Sequence, residues 1–269
     1  MEFKNGRNGV VMNRSDYWND KFVKYWDSWI NQPENSWINE KSQQKFRPSV
    51  FEALVDKINL NSDHTLLDAG CGFGQNLSFL KSQVHKIYAI DISIEMANRV
   101  RSNQCNDIKM LGVAEAERLP FISNFFDRII CFGVFDALNQ KEALFEFSRI
   151  LKLNGRLLIT GKNYYYHQDD YEALEAEQNA RDQGHPNFFT DCRKLLENLN
   201  RFGFVLNDIR FFSRRGDFSN YNYIDCSPND PFYEYSMIVE KKNLDSYNEG
   251  SIEIAFEYSQ TFLKKYSPS

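Results

Sequence analysis

"LLDAGCGFGQN" (66–76) puts Gly70, Gly72 and Gly74 two apart, directly after the apolar run TLLDA (65–69). A short buried strand that runs into a glycine turn and then into a helical pattern (Asn76 to Ser82) opens many nucleotide-binding α/β units, because glycine lets the backbone approach a ligand closely. The dinucleotide fingerprint is G-x-G-x-x-G with pyrophosphate on the helix N-terminus. Here the pattern is D-x-G-x-G-x-G. Asp68, two positions before the first glycine, would be a poor neighbour for pyrophosphate and a good one for an ammonium or sulfonium cation. The competing reading is a plain tight turn with Asp68 as a helix cap or buried structural acid. An isolated buried carboxylate is costly without a cation, which weighs against it.

Outward from this stretch, short apolar runs alternate with helical patterns. Strands are expected at TLLDA (65–69), KIYAID (86–91), IKMLGV (108–113), DRIICF (127–132) and GRLLIT (155–160). Near-continuous apolar runs imply burial on both faces, as in a parallel sheet between helical layers. Helices are expected at 76–82, at 93–101 behind a Ser93 cap, and at 141–151, where Leu144, Phe147, Ile150 and Leu151 share a face. An insert, KNYYYHQDDYEALEAEQNARDQGHPN (162–187), precedes a helix, TDCRKLLENLNRF, expected to start at a Thr190 cap and stop at Gly203. FVLNDIRFF (204–212) and YEYSMIVEK (233–241) supply two more strands. The expectation is a doubly wound, seven-stranded, mostly parallel sheet with an N-terminal helical cap and an insert after the fifth strand. Ligands of such sheets bind beyond the carboxyl ends of the strands.

The flanks read differently. All four tryptophans (Trp18, Trp26, Trp29, Trp37) lie in the first 60 residues, and Trp18, Phe22, Tyr25 and Trp29 follow helical spacing. Residues 1–60 are therefore expected to be a helical cap, 61–241 the main domain, and 242–269 a helical tail with Ile252, Ala255, Phe256 and Leu263 on one face. A cap of this kind either packs on the main domain, closes over the ligand, or does both.

Composition narrows the classes. A formal charge of −5 over 269 residues argues against sequence-independent nucleic-acid binding, DNA above all. Cys71, Cys105, Cys131, Cys192 and Cys226 are irregularly spaced, and His64, His85, His167 and His185 are scattered, so neither a disulfide framework nor a metal site is expected. MEFKNGRNGVV is polar, without a signal peptide's apolar core, and no apolar run approaches the roughly 20 residues of a membrane span. The expected location is cytoplasmic, as a monomer or homodimer.

At "LLDAGCGFG" the chain resembles the class I S-adenosylmethionine-dependent methyltransferases, and the likeness continues in order. "IYAIDIS" (87–93) puts Asp91 where the family's acidic residue holds both ribose hydroxyls, chemistry that one carboxylate performs readily. "AEAERLPF" (114–121) is similar to the family's adenine segment, G-D-A-E-x-L-P-F. On that register Glu115 would accept from the adenine amino group and the Ala116 N–H would reach a ring nitrogen, although Ala114 and Glu115 depart from Gly and Asp. "FFDRIICFGVFDAL" (125–138) and "ILKLNGRLLIT" (150–160) match the fourth strand and the turn usually written L-K-P-G-G-x-L, with Leu153 and Asn154 in place of Pro and Gly. The resemblance implies S-adenosyl-L-methionine as methyl donor, S-adenosyl-L-homocysteine as product, and a cofactor set of Asp68, Gly70, Cys71, Gly72, Gly74, Asp91, Ile92, Glu115, Ala116 and Phe132.

The acceptor is less legible. The N/D-P-P-Y/F signature of N6-adenine methylating enzymes is replaced by Gly133-Val134-Phe135-Asp136, and "NDPFY" (229–233) sits before the last strand, where it reads as a turn. Aromatic clusters such as Tyr164, Tyr165 and Tyr166 suit sugar, ring or lipid-like substrates and plain packing equally well. His167, His185 and Asp136 are the candidate bases by residue type. "RFFSRRGDFSNYNY" (210–223) offers Arg210, Arg214 and Arg215 to an anion or to RNA, against the plainer reading of a solvated loop. The leading expectation is methylation of a small molecule, with oxygen as the target. The alternatives are a tRNA or protein methyltransferase, a non-catalytic methyltransferase-like binding protein and, below these, a dehydrogenase.

Overall fold

Along the central strands, successive residues enter opposite apolar layers. Leu67 and Ala69 pack on one face of the sheet and Leu66 on the other; Ile129 and Cys131 oppose Ile130; Leu157 and Ile159 oppose Leu158. This two-sided burial is what the uninterrupted apolar runs encode, since strands project side chains alternately. Each fully buried Leu or Ile contributes about 2 kcal/mol to holding the layers together.

The computed structural model describes residues 2–4, 11–25, 48–104, 108–242 and 254–257. Its strands are β1 (Glu2–Lys4), β2 (Val11–Asn13), β3 (Thr65–Ala69), β4 (Lys86–Asp91), β5 (Ile108–Val113), β6 (Phe126–Cys131), β7 (Leu151–Lys162), β8 (Phe188–Thr190), β9 (Phe204–Phe212), β10 (Glu234–Lys241) and β11 (Ala255–Glu257). Seven of them form one sheet in the order β5-β4-β3-β6-β7-β10-β9. Only β10 runs against its neighbours in that sheet. The chain leaves β3 for β4 on one side and reaches β6 on the other, so a crevice opens at the carboxyl end of β3. The flanking helices are α1 (Pro48–Asp56), α2 (Leu77–Gln83), α3 (Ile94–Gln104), α4 (Gln140–Ile150), α5 (Tyr171–Asp182) and α6 (Cys192–Glu197). A further helical segment covers 14–25 and is π-wound at Tyr17–Lys21.

The expected strands and the helices between them are present, with ends displaced by a few residues. Asn154, standing where the related motif has glycine, takes φ 61°, a left-handed conformation that asparagine tolerates. Four expectations need correction. Residues 1–60, expected to be a helical cap, also hold the antiparallel pair β1–β2, with Glu2 opposite Asn13, ahead of the helical segment. The helix after the insert is capped by Asp191, whose Oδ1 accepts from the Lys194 N–H at 3.0 Å. Thr190 belongs to β8, its hydroxyl bonded to Gln140 Oε1 at 2.9 Å and to the Tyr235 hydroxyl at 2.8 Å. The insert holds α5, capped by Asp170, whose Oδ1 accepts from the Ala173 N–H at 3.1 Å. The predicted tail helix fails over Ala255–Glu257, a strand antiparallel to β8; the Asp191 N–H donates to the Ile254 carbonyl at 2.8 Å, and a tertiary edge has overridden a helical pattern. Ile252, Leu263, Trp26, Trp29, Trp37 and Cys105 lie outside the described residues. NDPFY is a turn as expected, with the Asp230 N–H on the Ser227 carbonyl at 2.9 Å.

Candidate active site

The loop after β3 is held open by its neighbours. The Gly70 and Cys71 N–H groups both donate to the Ile90 carbonyl, at 2.8 and 2.9 Å, which folds the loop back over the end of β4. Gly70 sits at φ 82°, and a Cβ there would lie 2.6 Å from a Val134 methyl. Glycine is required at that position on both counts. Gly72 (φ 54°) faces open space apart from Gln75 Oε1, 3.5 Å from where its Cβ would stand.

Asp91 ends β4 beside this loop. Its Oδ2 accepts from the Gly72 N–H and its Oδ1 from the Ser93 N–H, both at 2.9 Å, which leaves acceptor capacity on the carboxylate. Ser93 in turn caps α3, its hydroxyl accepting from the Met96 N–H at 3.2 Å. Asp68 is buried under the loop, and its Oδ2 has no hydrogen-bond partner among the described residues. Burial, and then the neighbouring Asp91, push its pKa up to about 7.

A cavity of ≈ 420 Å³ spans the carboxyl ends of β3, β4, β6 and β7. Of the residues expected at a cofactor, Gly70, Cys71, Gly72, Asp91, Ile92, Ala116 and Phe132 line it. Asp68, Gly74 and Glu115 do not: Asp68 lies beneath the loop, Gly74 closes the turn with its N–H on the Cys71 carbonyl at 2.9 Å, and Glu115 is exposed to solvent. The N-terminal helical segment supplies another wall through Arg14, Trp18 and Phe22. It docks at three points. Arg14 pairs with Glu117 (Nη2 to Oε2, 2.7 Å), Ser93 Oγ donates to Asn19 Oδ1 at 3.0 Å, and the Tyr17 hydroxyl meets His185 Nδ1 at 3.0 Å.

The inner end of the cavity is polar. Lys162, Asp136, His185 and Glu234 line it, and Lys162 Nζ lies 3.2 Å from Asp136 Oδ2 and 2.9 Å from Glu177 Oε1. Burial would lower the Lys162 pKa, but these two carboxylates raise it well above the ordinary lysine value. Burial, reinforced by Lys162, drives His185 down to about 4, so its imidazole is neutral in the physiological range. Of the candidate bases, His185 and Asp136 reach the cavity, whereas His167 is directed to Ser213 Oγ at 3.2 Å, outside the cavity walls. The three arginines of 210–223 have local partners: Arg210 pairs with Asp208 at 2.9 Å, Arg214 with Asp169 at 3.0 Å, and Arg215 Nη1 donates to the Tyr233 hydroxyl at 3.2 Å. Phe218 of this segment reaches the cavity wall. Arg14, Lys162 and Glu234 were missed from the sequence. A charged residue closing an apolar strand, as in "LLITGK", was the available signal for Lys162; nothing local marked the other two.

The strand order and the crevice define the Rossmann-like methyltransferase fold. Residues 67–159 match the family model described as a methyltransferase domain. Among relatives, the uncharacterized protein MJ1252 of Methanocaldococcus jannaschii is 42% identical over 122 residues, 45% of either chain. The uncharacterized methyltransferase YodH of Bacillus subtilis is 29% identical over 109 residues, 40% of this chain and 47% of that one. The chain spans about half the length of the curated relatives it matches. Geranyl diphosphate C-methyltransferase from Streptomyces coelicolor A3(2), solved with S-adenosyl-L-homocysteine, superposes with a TM-score of 0.60 at 15% identity, covering 84% of this chain and 96% of that one. At that identity the likeness speaks for the fold. No described helix is long and apolar enough to cross a membrane.

Proposed function

We propose that this chain is an S-adenosylmethionine-dependent methyltransferase acting on a small molecule, for which oxygen is the expected target. The observation that carries the reading is the pairing of Asp91, with acceptor capacity left on its carboxylate, and a glycine loop in which Gly72 faces open space at the same cavity. The residues fit the donor. Asp91 would hold the ribose hydroxyls, the Ile92, Ala116 and Phe132 walls would enclose the adenosine, and the Gly70–Gly74 backbone would pass beside the methionine portion. Asp68, buried with its Oδ2 unpartnered among the described residues, would act from beneath the loop as counter-charge to a cation. When bound, the donor supplies an electrophilic methyl group for in-line displacement.

The protein's own part is alignment and exclusion of water, since well-oriented reactants reach effective molarities of about 10⁵ M or more. Docked as it is on Glu117, Ser93 and His185, the N-terminal helical segment is suited to shielding the cavity. His185, neutral beside Tyr17, is placed to accept a hydrogen bond from an acceptor hydroxyl. A cavity of ≈ 420 Å³, and the pairing of Arg210 with Asp208 and of Arg214 with Asp169, favour a small acceptor over RNA. Calorimetry with S-adenosylmethionine, S-adenosylhomocysteine and NADH tests the reading. Heat with the first two and none with NADH is expected; the reverse, or silence from all three on folded protein, overturns it. Sorting radiolabelled methyl groups transferred into a cell extract should place the label in the small-molecule fraction.

A further inference from the structure

The inner end of the cavity combines aromatic walls with an unbalanced set of charges. Glu234 opens β10 directly across from Lys162 in the antiparallel pair and lines the cavity. Four other charged groups surround it: Lys162 at the end of β7, Asp136 after β6, Glu177 on α5 and Arg215 after β9. Three carboxylates thus face two cations, and both cations are engaged. Lys162 bridges Asp136 and Glu177, while Arg215 lies on the Tyr233 hydroxyl, which itself donates to Glu177. The Glu234 carboxyl has neither hydrogen bond nor ion pair among the described residues. Burial pushes its pKa up to about 7 against the pull of Lys162, the mark of a carboxylate short of a cation. Trp18, Phe22 and Tyr235 line the same cavity, and the Trp18 and Phe22 rings meet tilted at 60° with centroids 4.7 Å apart, presenting ring surface to whatever enters.

We propose that Glu234 is the recognition group for an acceptor bearing an amine or another cationic group, which it draws to the inner end of the cavity against the aromatic wall. The inference rests on the methyl-transfer reading for the word acceptor, and concerns the group that is recognised, whichever atom takes the methyl. A carboxylate in a low-dielectric pocket discriminates strongly by charge, because a cation relieves its desolvation and an anion adds repulsion. Lys162 does not reverse this preference, since two carboxylates already neutralise it.

The test uses three probes of one shape, benzylamine, benzyl alcohol and benzoate, titrated calorimetrically into the full chain with and without S-adenosylhomocysteine. Benzylamine should bind roughly tenfold or more tightly than the alcohol, with benzoate weakest, as for a charge-assisted contact. The amine's advantage should grow from about pH 6 to about pH 8, as the Glu234 carboxyl loses its proton. Glu234→Gln should abolish both the preference and its pH dependence, and Glu234→Asp should retain them. If the glutamine variant does not fold, the same pH profile measured on Asp68→Asn, which lacks the other carboxyl raised to about 7, decides: persistence of the amine preference and its rise supports Glu234, and loss overturns the inference. Equal binding of the three, binding of none, or a preference for benzoate overturns the inference. Binding of S-adenosylhomocysteine without any amine preference removes this inference and leaves the methyl-transfer reading standing; amine preference without S-adenosylhomocysteine binding does the opposite.

Discussion

Two residues can be tested directly for the work assigned to them. Asp91→Ala removes the acceptor of the Gly72 and Ser93 N–H groups together with the proposed ribose contact. Affinity for S-adenosylhomocysteine should fall by about 1–3 kcal/mol, the usual cost of lost hydrogen bonds to a charged group; an unchanged calorimetric Kd would refute the ribose assignment. Gly70→Ala and Gly133→Ala form a matched pair. Both positions have positive φ, but a Cβ at 70 would lie 2.6 Å from Val134, while one at 133 meets nothing within 4 Å. Each should lose about 1–3 kcal/mol to backbone strain, with Gly70→Ala losing more, as read by urea unfolding. Equal losses would mean that Val134 yields freely. At this scale the glycine turn and the placement of Asp91 at a strand end were legible because both are local, each lying within one short stretch. Lys162 and Glu234 were not, because their meaning comes from a cross-strand pairing that no window of sequence contains.

Among the elements, the spacing of Trp18, Phe22, Tyr25 and Trp29 implies a helical cap over 1–60; residues 14–25 are helical, but the β1–β2 pair before them and the docking partners were not foreseen. Arg14, buried against Glu117 and within reach of the Ala137 carbonyl, is the anchor. Arg14→Ala leaves the Glu117 carboxylate without its cation, with only the Asn139 N–H, among the described residues, still donating to it at 2.7 Å, and should weaken docking by about 3 kcal/mol, as for a broken buried pair. Hydrogen exchange should accelerate across 14–25 while the sheet stays protected; unchanged exchange would show that Trp18 and Tyr17 suffice. Helix α5 escaped the sequence for a physical reason. Its buried residues are Ala173 and Glu177, so it lacks the apolar stripe that betrays an amphipathic helix. The error at Ala255–Glu257 has the opposite origin: a helical pattern was there, and pairing with β8 prevailed.

For the whole molecule, buried ionisable groups set opposing pH trends. Asp68 and Glu234 have pKa values raised to about 7 in the fold. Each therefore favours the folded state fully below its unfolded pKa and loses that contribution as pH climbs to about 7. His185, lowered to about 4, acts in the other direction over a similar window. Asp68→Asn should accordingly gain stability over the parent chain as pH rises from about 5 to about 8, while binding S-adenosylhomocysteine less well. Parallel thermal melts across that range give the check, and a constant difference in melting temperature would contradict the burial of a costly carboxyl. The global architecture was the most legible level. Alternating buried runs, caps and glycine stops repeat along the chain, so each local choice agrees with the sheet as a whole.

The reversed strand β10, lying between β7 and β9, carries a consequence for synthesis. Until residues 234–241 emerge, β7 has an open edge flanked by Leu157, Leu158 and Ile159, each fully buried in the finished sheet. Unpaired apolar edges template association between chains, so nascent or truncated products ending before β10 are the aggregation-prone species, and heterologous expression should stand or fall on the closing hairpin.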